Sequence, residues 1–234
     1  CGRYGPQQKR DPLGGANMLL LVALSSELAT QQAPPADSLI RLPVRVHLLH
    51  SAVSTATSTT RTAPAVDTMF AFANTIWRQA GIEWVVESVV TEEATGGDLL
   101  DQLIAGTVPR TRQYLIALVP PNRVLQPGWN LFLIRDFGGI AGGVFLAELS
   151  GVILAERGSG HELPAAGRGG GTLAHELGHS LGLHHVTCDE THNIMSLACS
   201  VPGVVSDLTS QQIAAARAQA ETRRPSLDRF EGPG

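Results

Sequence analysis

Apolar positions recur along this chain with two different periods, and the switches between them lay out strands and helices in order. Leu42 to Leu49 alternates and is β-branched enough to predict a first strand, and the Ser/Thr-rich stretch from Ser51 to Thr62 predicts a loop. Val66, Met69, Phe70, Ala73, Trp77 and Ala80 then recur at helical spacing, with Pro64 near the start and Gly81 just past the end. Ile82 to Val90 predicts a second strand and Asn130 to Arg135 another; residues 98 to 105 predict a short helix, and 112 to 119 fit either helix or strand. Gly143 to Ala147 and Val152 to Ala155 are short apolar runs joined by Glu148-Leu149-Ser150-Gly151, the pattern of a hairpin. Leu173, Leu177 and Leu181 recur every four residues and predict one buried stripe of a helix. Leu208-Thr209-Ser210-Gln211-Gln212-Ile213 combines a Thr cap, a Gln three residues later and a Leu/Ile staple, so a final helix starts there and runs to about Glu221.

Residues 1 to 38 follow neither period. They are rich in Gly, Pro, Gln and Ala and end in Ala33-Pro34-Pro35, which predicts a tail or linker before a single domain over residues 39 to 230. One apolar run, residues 18 to 24, lies within it with Lys9 and Arg10 upstream. It is too short to span a bilayer and fits either a signal-peptide core or a short buried helix. There is no internal repeat and no sign of a second domain.

Composition narrows the class without naming a function. A chain of 234 residues with 43% hydrophobic content and a net charge of -4 fits one soluble domain, expected to be a monomer. No basic stripe or charge run is present, so nucleic acid and anionic membrane surfaces are not expected partners.

The chemistry is concentrated in His175-Glu176-Leu177-Gly178-His179-Ser180-Leu181-Gly182-Leu183-His184-His185. Two histidines four residues apart on a helix share a face, so His175 and His179 can reach one metal ion. Glu176, one residue round the helix, then points at a water on that metal, as a general base requires. Gly182 can end the helix in the left-handed conformation and let the chain turn, which brings in His185 as a third ligand. Three ligands leave a fourth position open, which marks a catalytic zinc rather than a structural one. A chance His-Glu-x-x-His in a chain this long is expected on the order of once in a hundred sequences, and the added Gly182 and His185 lower that to on the order of one in ten thousand. The leucine stripe falls nearly opposite His175 and His179, so one helix face is core and the other lines a cleft. His161-Glu162 also forms a His-Glu pair, but Ala165 stands where a second ligand would be, and no metal is assigned to it.

The pattern H-E-x-x-H-x-x-G-x-x-H followed by a methionine in a tight turn resembles that of the metzincin zinc endopeptidases. Asn193-Ile194-Met195-Ser196 lies where the resemblance would put the Met-turn, and the similarity extends from about residue 43 to about 222, with the specific motifs confined to residues 172 to 196. The resemblance implies His175, His179 and His185 as zinc ligands, Glu176 as general base and Met195 as a hydrophobic floor under the metal. It implies an α+β fold with an α/β-like N-terminal subdomain: a twisted mixed sheet with an antiparallel edge strand, two long helices, the zinc helix at the cleft, and a small C-terminal subdomain with the Met-turn and final helix. The hairpin before the zinc helix would then contain the edge strand that pairs with an extended peptide or protein substrate; an ordinary internal hairpin fits the same residues. Leu197 stands where some metzincins carry a tyrosine ligand, and Val186 after the third histidine matches none of the common family markers; the general likeness is to matrixin-like or pappalysin-like bacterial proteins.

The cysteines add a compartment. Cys188 and Cys199 flank Met195 closely, and a bridge between them would stiffen the chain by about 3 kcal/mol in the loop-entropy model and imply an oxidising compartment; two reduced thiols are the alternative. Cys1 before Gly2 fits a cleaved bacterial lipoprotein with a lipid anchor, a shortened sequence, or a cysteine that caps the zinc in a latent form. A secreted, periplasmic or cell-surface location is expected.

The expected function is a zinc-dependent endopeptidase. Two alternatives use the same residues: an inactive zinc-bearing binding module, which retention of Glu176 argues against, and a zinc hydrolase of a non-peptide amide, which needs no edge strand. A cysteine protease using Cys188 with His184 is disfavoured by their closeness in sequence.

Overall fold

A computed structural model describes residues 39–109, 111–124, 127–139, 141–157, 169–187, 192–196 and 207–228. The predicted tail, His161-Glu162, Cys1, Cys188, Cys199 and Leu197 lie outside the described residues.

Four strands run parallel and a fifth runs against them. Strands β1 (Ile40–His50), β2 (Ile82–Glu93), β3 (Trp129–Asp136), β4 (Gly143–Leu146) and β5 (Gly151–Arg157) form one sheet in the order β2-β1-β3-β5-β4. β1 pairs in parallel with β2 and β3, β3 with β5, and β4 pairs antiparallel with β5 at the edge. The hairpin expected at residues 143 to 155 is therefore present, and its first strand is an edge of the sheet.

Helices α1 (Ala63–Trp77), α2 (Leu99–Ile104), α3 (Arg112–Ile116), α4 (Gly170–Ser180) and α5 (Ser210–Glu221) complete the described residues, giving a mixed α+β architecture. The ambiguous stretch from 112 opens as a helix. α1 stops at Trp77 and tightens into one 3-10 turn over Arg78–Ala80 before Gly81.

The alternation of β1 explains the layering. Leu42, Val44, Val46 and Leu48 face a core shared with α1, α4 and α5 that contains Met69, Phe70, Trp77, Leu173, Leu177 and Ala216. Leu49 faces a second core on the opposite side, with Leu100, Leu118, Phe132 and Ile153. A strand covered on both faces must be apolar throughout, and the first six residues of β3, Trp129 to Ile134, are all buried. Trp84 meets Trp77 and Trp129 edge-on, at ring separations of 6.3 and 5.5 Å, and each such pair adds about 0.5–1.5 kcal/mol beyond its burial.

Two of these tryptophans also anchor α4. Trp77 Nε1–H donates to the Ala174 carbonyl at 3.2 Å, and Trp129 Nε1–H donates to Ser180 Oγ at 3.0 Å. Ser180 in turn donates to the Leu177 carbonyl at 2.7 Å. The helix that carries the His-Glu-x-x-His segment is thus fixed by core side chains at both ends of that segment. Among the described residues, no helix is long and apolar enough to cross a membrane.

Candidate metal centre

The leucine stripe does what its spacing predicts. Leu173, Leu177 and Leu181 are buried in the core against α1, which turns His175, Glu176 and His179 toward β4 and the segment after the helix. His179 and Glu176 are buried, and His175 and His185 are half-buried.

Gly182 ends the helix as expected, by a full Schellman closure. Its φ is +79°, Leu183 N–H donates to the Gly178 carbonyl at 3.0 Å, and Gly182 N–H donates to the His179 carbonyl at 2.9 Å. The reversal puts Leu183 back into the core and swings His185 beneath the two helical histidines.

The three imidazoles converge. Nε2 of His185 lies 3.1 Å from Nε2 of His175 and 3.0 Å from Nε2 of His179. One nitrogen from each ring falls within a group spanning 4.8 Å, an arrangement that can hold a metal ion. Zn–N bonds of about 2.0–2.1 Å at the tetrahedral angle set ligand nitrogens about 3.3 Å apart, close to the separations found.

The far side of each helical ring is fixed by backbone. His175 Nδ1–H donates to the Ile194 carbonyl and His179 Nδ1–H to the Leu183 carbonyl, both at 2.7 Å. With Nδ1 donating, the neutral ring presents its Nε2 lone pair inward, the tautomer a metal ligand needs. Burial, followed by the neighbouring His175, pushes the His179 pKa down to about 3, so that ring stays neutral and able to ligate. Burial also lowers the pKa of His185, with His184 adding to the effect. The donor set fits zinc.

Glu176 occupies a different environment one residue away. Burial pushes its pKa up to about 8, opposed by a hydrogen bond its carboxyl accepts from the Phe145 backbone N–H on β4. A carboxyl with that proton affinity can both accept and release a proton near neutral pH.

Met195 lies where the sequence motif places it in the chain, and it is fully buried against the helix. A side chain on Gly178 would collide with its Sδ, so the glycine between the two histidines lets the methionine pack against the helix backbone. The turn is closed by Ser196 N–H donating to the Asn193 carbonyl at 3.1 Å, and Met195 N–H donates to Asn193 Oδ1 at 2.9 Å. Val186, next to His185, donates its N–H to the Met195 carbonyl at 3.1 Å. A buried amide pair ties this turn to α5: Asn193 Nδ2 donates to Gln212 Oε1 at 2.7 Å and Gln212 Nε2 donates to Asn193 Oδ1 at 3.1 Å. Gln212 is also the return half of the α5 capping box with Thr209.

His175, Glu176, His179, His185 and Met195 are thus gathered on α4 and the chain that follows it. Sequence reasoning missed the groups that orient them: the carbonyls of Leu183 and Ile194, the Phe145 N–H and the Asn193–Gln212 pair. Backbone atoms leave no mark on residue type. The capping box was visible, but nothing in the sequence linked its glutamine to an asparagine nineteen positions earlier.

No family model matches the sequence, and no curated protein matches it. Among solved structures, the chain is similar to mature mirolysin of Tannerella forsythia in complex with a cleaved peptide, at 14% identity and a TM-score of 0.48, covering 80% of this chain and 96% of that one.

Proposed function

We propose that the chain is a zinc-dependent endopeptidase of metzincin type, with His175, His179 and His185 as metal ligands and Glu176 as general base. The observation that carries this is the convergence of three imidazole Nε2 atoms, with separations of 3.1 and 3.0 Å, beside a carboxyl group held out of water. When bound, zinc would supply Lewis-acid polarisation of the scissile carbonyl and a water acidic near neutral pH, through the fourth position that three protein ligands leave open.

The chain's own residues supply the rest. A Glu176 carboxylate oxygen receives the proton of the attacking water and returns it to the leaving amine nitrogen. The carbonyls of Leu183 and Ile194 keep both helical imidazoles turned inward, and Met195 floors the site. An extended peptide lies along β4, which is short, antiparallel and at the edge of the sheet, so backbone pairing can give affinity without demanding one sequence. The export expected from the cysteines is compatible with such an activity.

Glu176→Gln tests the assignment. The variant should keep its zinc and lose turnover by at least about a hundredfold on a broad peptide library, the scale of general acid–base catalysis. An active, zinc-loaded Gln variant would contradict the role of Glu176. Cleavage that a chelator abolishes supports the peptidase, whereas capture of peptides without cleavage would point to a binding module. His185→Ala should weaken zinc retention, and full occupancy in that variant would disprove its assignment.

A further inference from the structure

Strand β4 presents its backbone groups in two sets. Ala155 N–H donates to the Gly142 carbonyl at 3.0 Å, and the register pairs Gly143 with Leu154, Val144 with Ile153 and Phe145 with Val152. Antiparallel partners alternate between hydrogen-bonded and non-bonded pairs. Val144 and Leu146 therefore bond to β5, while Gly143 and Phe145 turn their N–H and carbonyl groups toward the open edge. An outward N–H on an edge strand ordinarily goes to water or to an added strand. At Phe145 the neighbouring group is the Glu176 carboxyl, on which this amide acts against the effect of burial.

Gly143 lies two residues earlier on the same face. Its φ is not among the positive values, so its backbone would accept any residue. Space is the constraint. A Cβ built there would lie 2.7 Å from Glu176 Cγ, 3.2 Å from Glu176 Cδ and 2.9 Å from Leu154 Cδ1. The nearer clash is with Glu176, and with Leu154 buried on the other side a methyl at this position would displace the Glu176 side chain.

We propose that Gly143 and the Phe145 N–H together form a positioning device for Glu176: the absent side chain makes the slot in which the glutamate methylenes lie, and the amide fixes the carboxyl at its end. This rests on the general-base role proposed above. Neither Gly143 nor Phe145 touches the reacting atoms; both act through the base.

Amide exchange in the full chain tests the contact with or without metal. In zinc-loaded and zinc-stripped protein, Phe145 N–H should be protected although it faces the open edge. Glu176→Ala should raise its exchange rate by about tenfold or more, with Val144 and Leu146 held by β5 and changed by less than about twofold. Gly143→Ala should keep full zinc occupancy and KM within about twofold, and lose about tenfold to a hundredfold in kcat, the cost of a misplaced catalytic group. Should Gly143→Ala not fold, the exchange result with Glu176→Ala still decides.

An unprotected Phe145 amide in the wild-type chain, or a fully active Gly143→Ala, would overturn the device and leave the peptidase standing. A protected Phe145 in a zinc-loaded protein that cleaves no peptide would overturn it at its premise.

Discussion

Gly182→Ala separates backbone conformation from packing at the candidate metal centre. A Cβ at this position would meet only Ser226 Oγ, at 4.0 Å, which is ordinary contact, so no neighbour has to move. The cost is the left-handed backbone at φ +79°. An L-residue there loses about 1–2 kcal/mol, partly offset by about 0.4–1 kcal/mol from a less flexible unfolded chain. The net loss should be about 1 kcal/mol, or about 2–4 °C in Tm for a domain of this size. Gly182→Asn should lose less, since asparagine tolerates this region.

Thermal unfolding of the zinc-stripped variants, followed by zinc titration, reads both halves of the argument. If alanine keeps the turn, the Tm falls and the zinc Kd stays within about threefold, because His185 is where it was. If the chain abandons the turn instead, Leu183 leaves the Gly178 carbonyl, His179 loses its acceptor on Leu183, and the zinc Kd rises by about a hundredfold. A Gly182→Ala protein with wild-type Tm and wild-type zinc Kd would refute the account of how His185 reaches the site.

Gln212→Leu leaves the buried Asn193 amide without its partner, at about 1–3 kcal/mol, and should weaken zinc binding by about tenfold to a hundredfold through the turn that carries Ile194; a destabilised variant with unchanged zinc Kd would uncouple α5 from the candidate centre. His47 is buried on β1, stacked on Phe132 at 4.6 Å, and burial holds its pKa below the ordinary 6.5 despite the opposing pull of Glu92. The unfolded chain then takes up the proton first, so this contribution is complete above about pH 6.5 and is lost as pH falls toward the lower folded-state value. Wild-type Tm should drop relative to His47→Gln between about pH 7 and pH 5, and a constant gap across that range would exclude burial of a neutral ring as the cause.

Much of the fold was legible because periodicity reports burial. The alternation in β1 and the helical spacing from Val66 to Ala80 reflect the two cores directly. Boundaries were less legible. β2 runs to Glu93 rather than Val90 because its last residues pair with Leu48, Leu49 and His50, and partners remote in sequence cannot be read from the strand itself. Position 112 onward stayed ambiguous because none of the residues of α3 is buried, which leaves no apolar stripe to read. At the candidate site, residue types pointed to the three histidines that converge and to the glutamate beside them, while their orientation came from carbonyls and amides that any sequence carries.

That division has a consequence for how the centre assembles. His175 and His179 sit on a helix held by Trp77 and Trp129, so their relative placement belongs to the main core and exists before any metal arrives. His185 depends on a Schellman turn and on the Val186 contact to Met195, whose own turn is held by Asn193 and Gln212. Two of the proposed ligands are therefore set by burial of large side chains and the third by a short series of hydrogen bonds, each contributing only about 0.5–1.5 kcal/mol net. A cation that gathers all three adds binding free energy to the weaker part, since a ligand stabilises whatever conformation it requires. Metal affinity at the proposed site should therefore depend on how firmly the chain from Gly182 onward is held in place as well as on the three imidazoles.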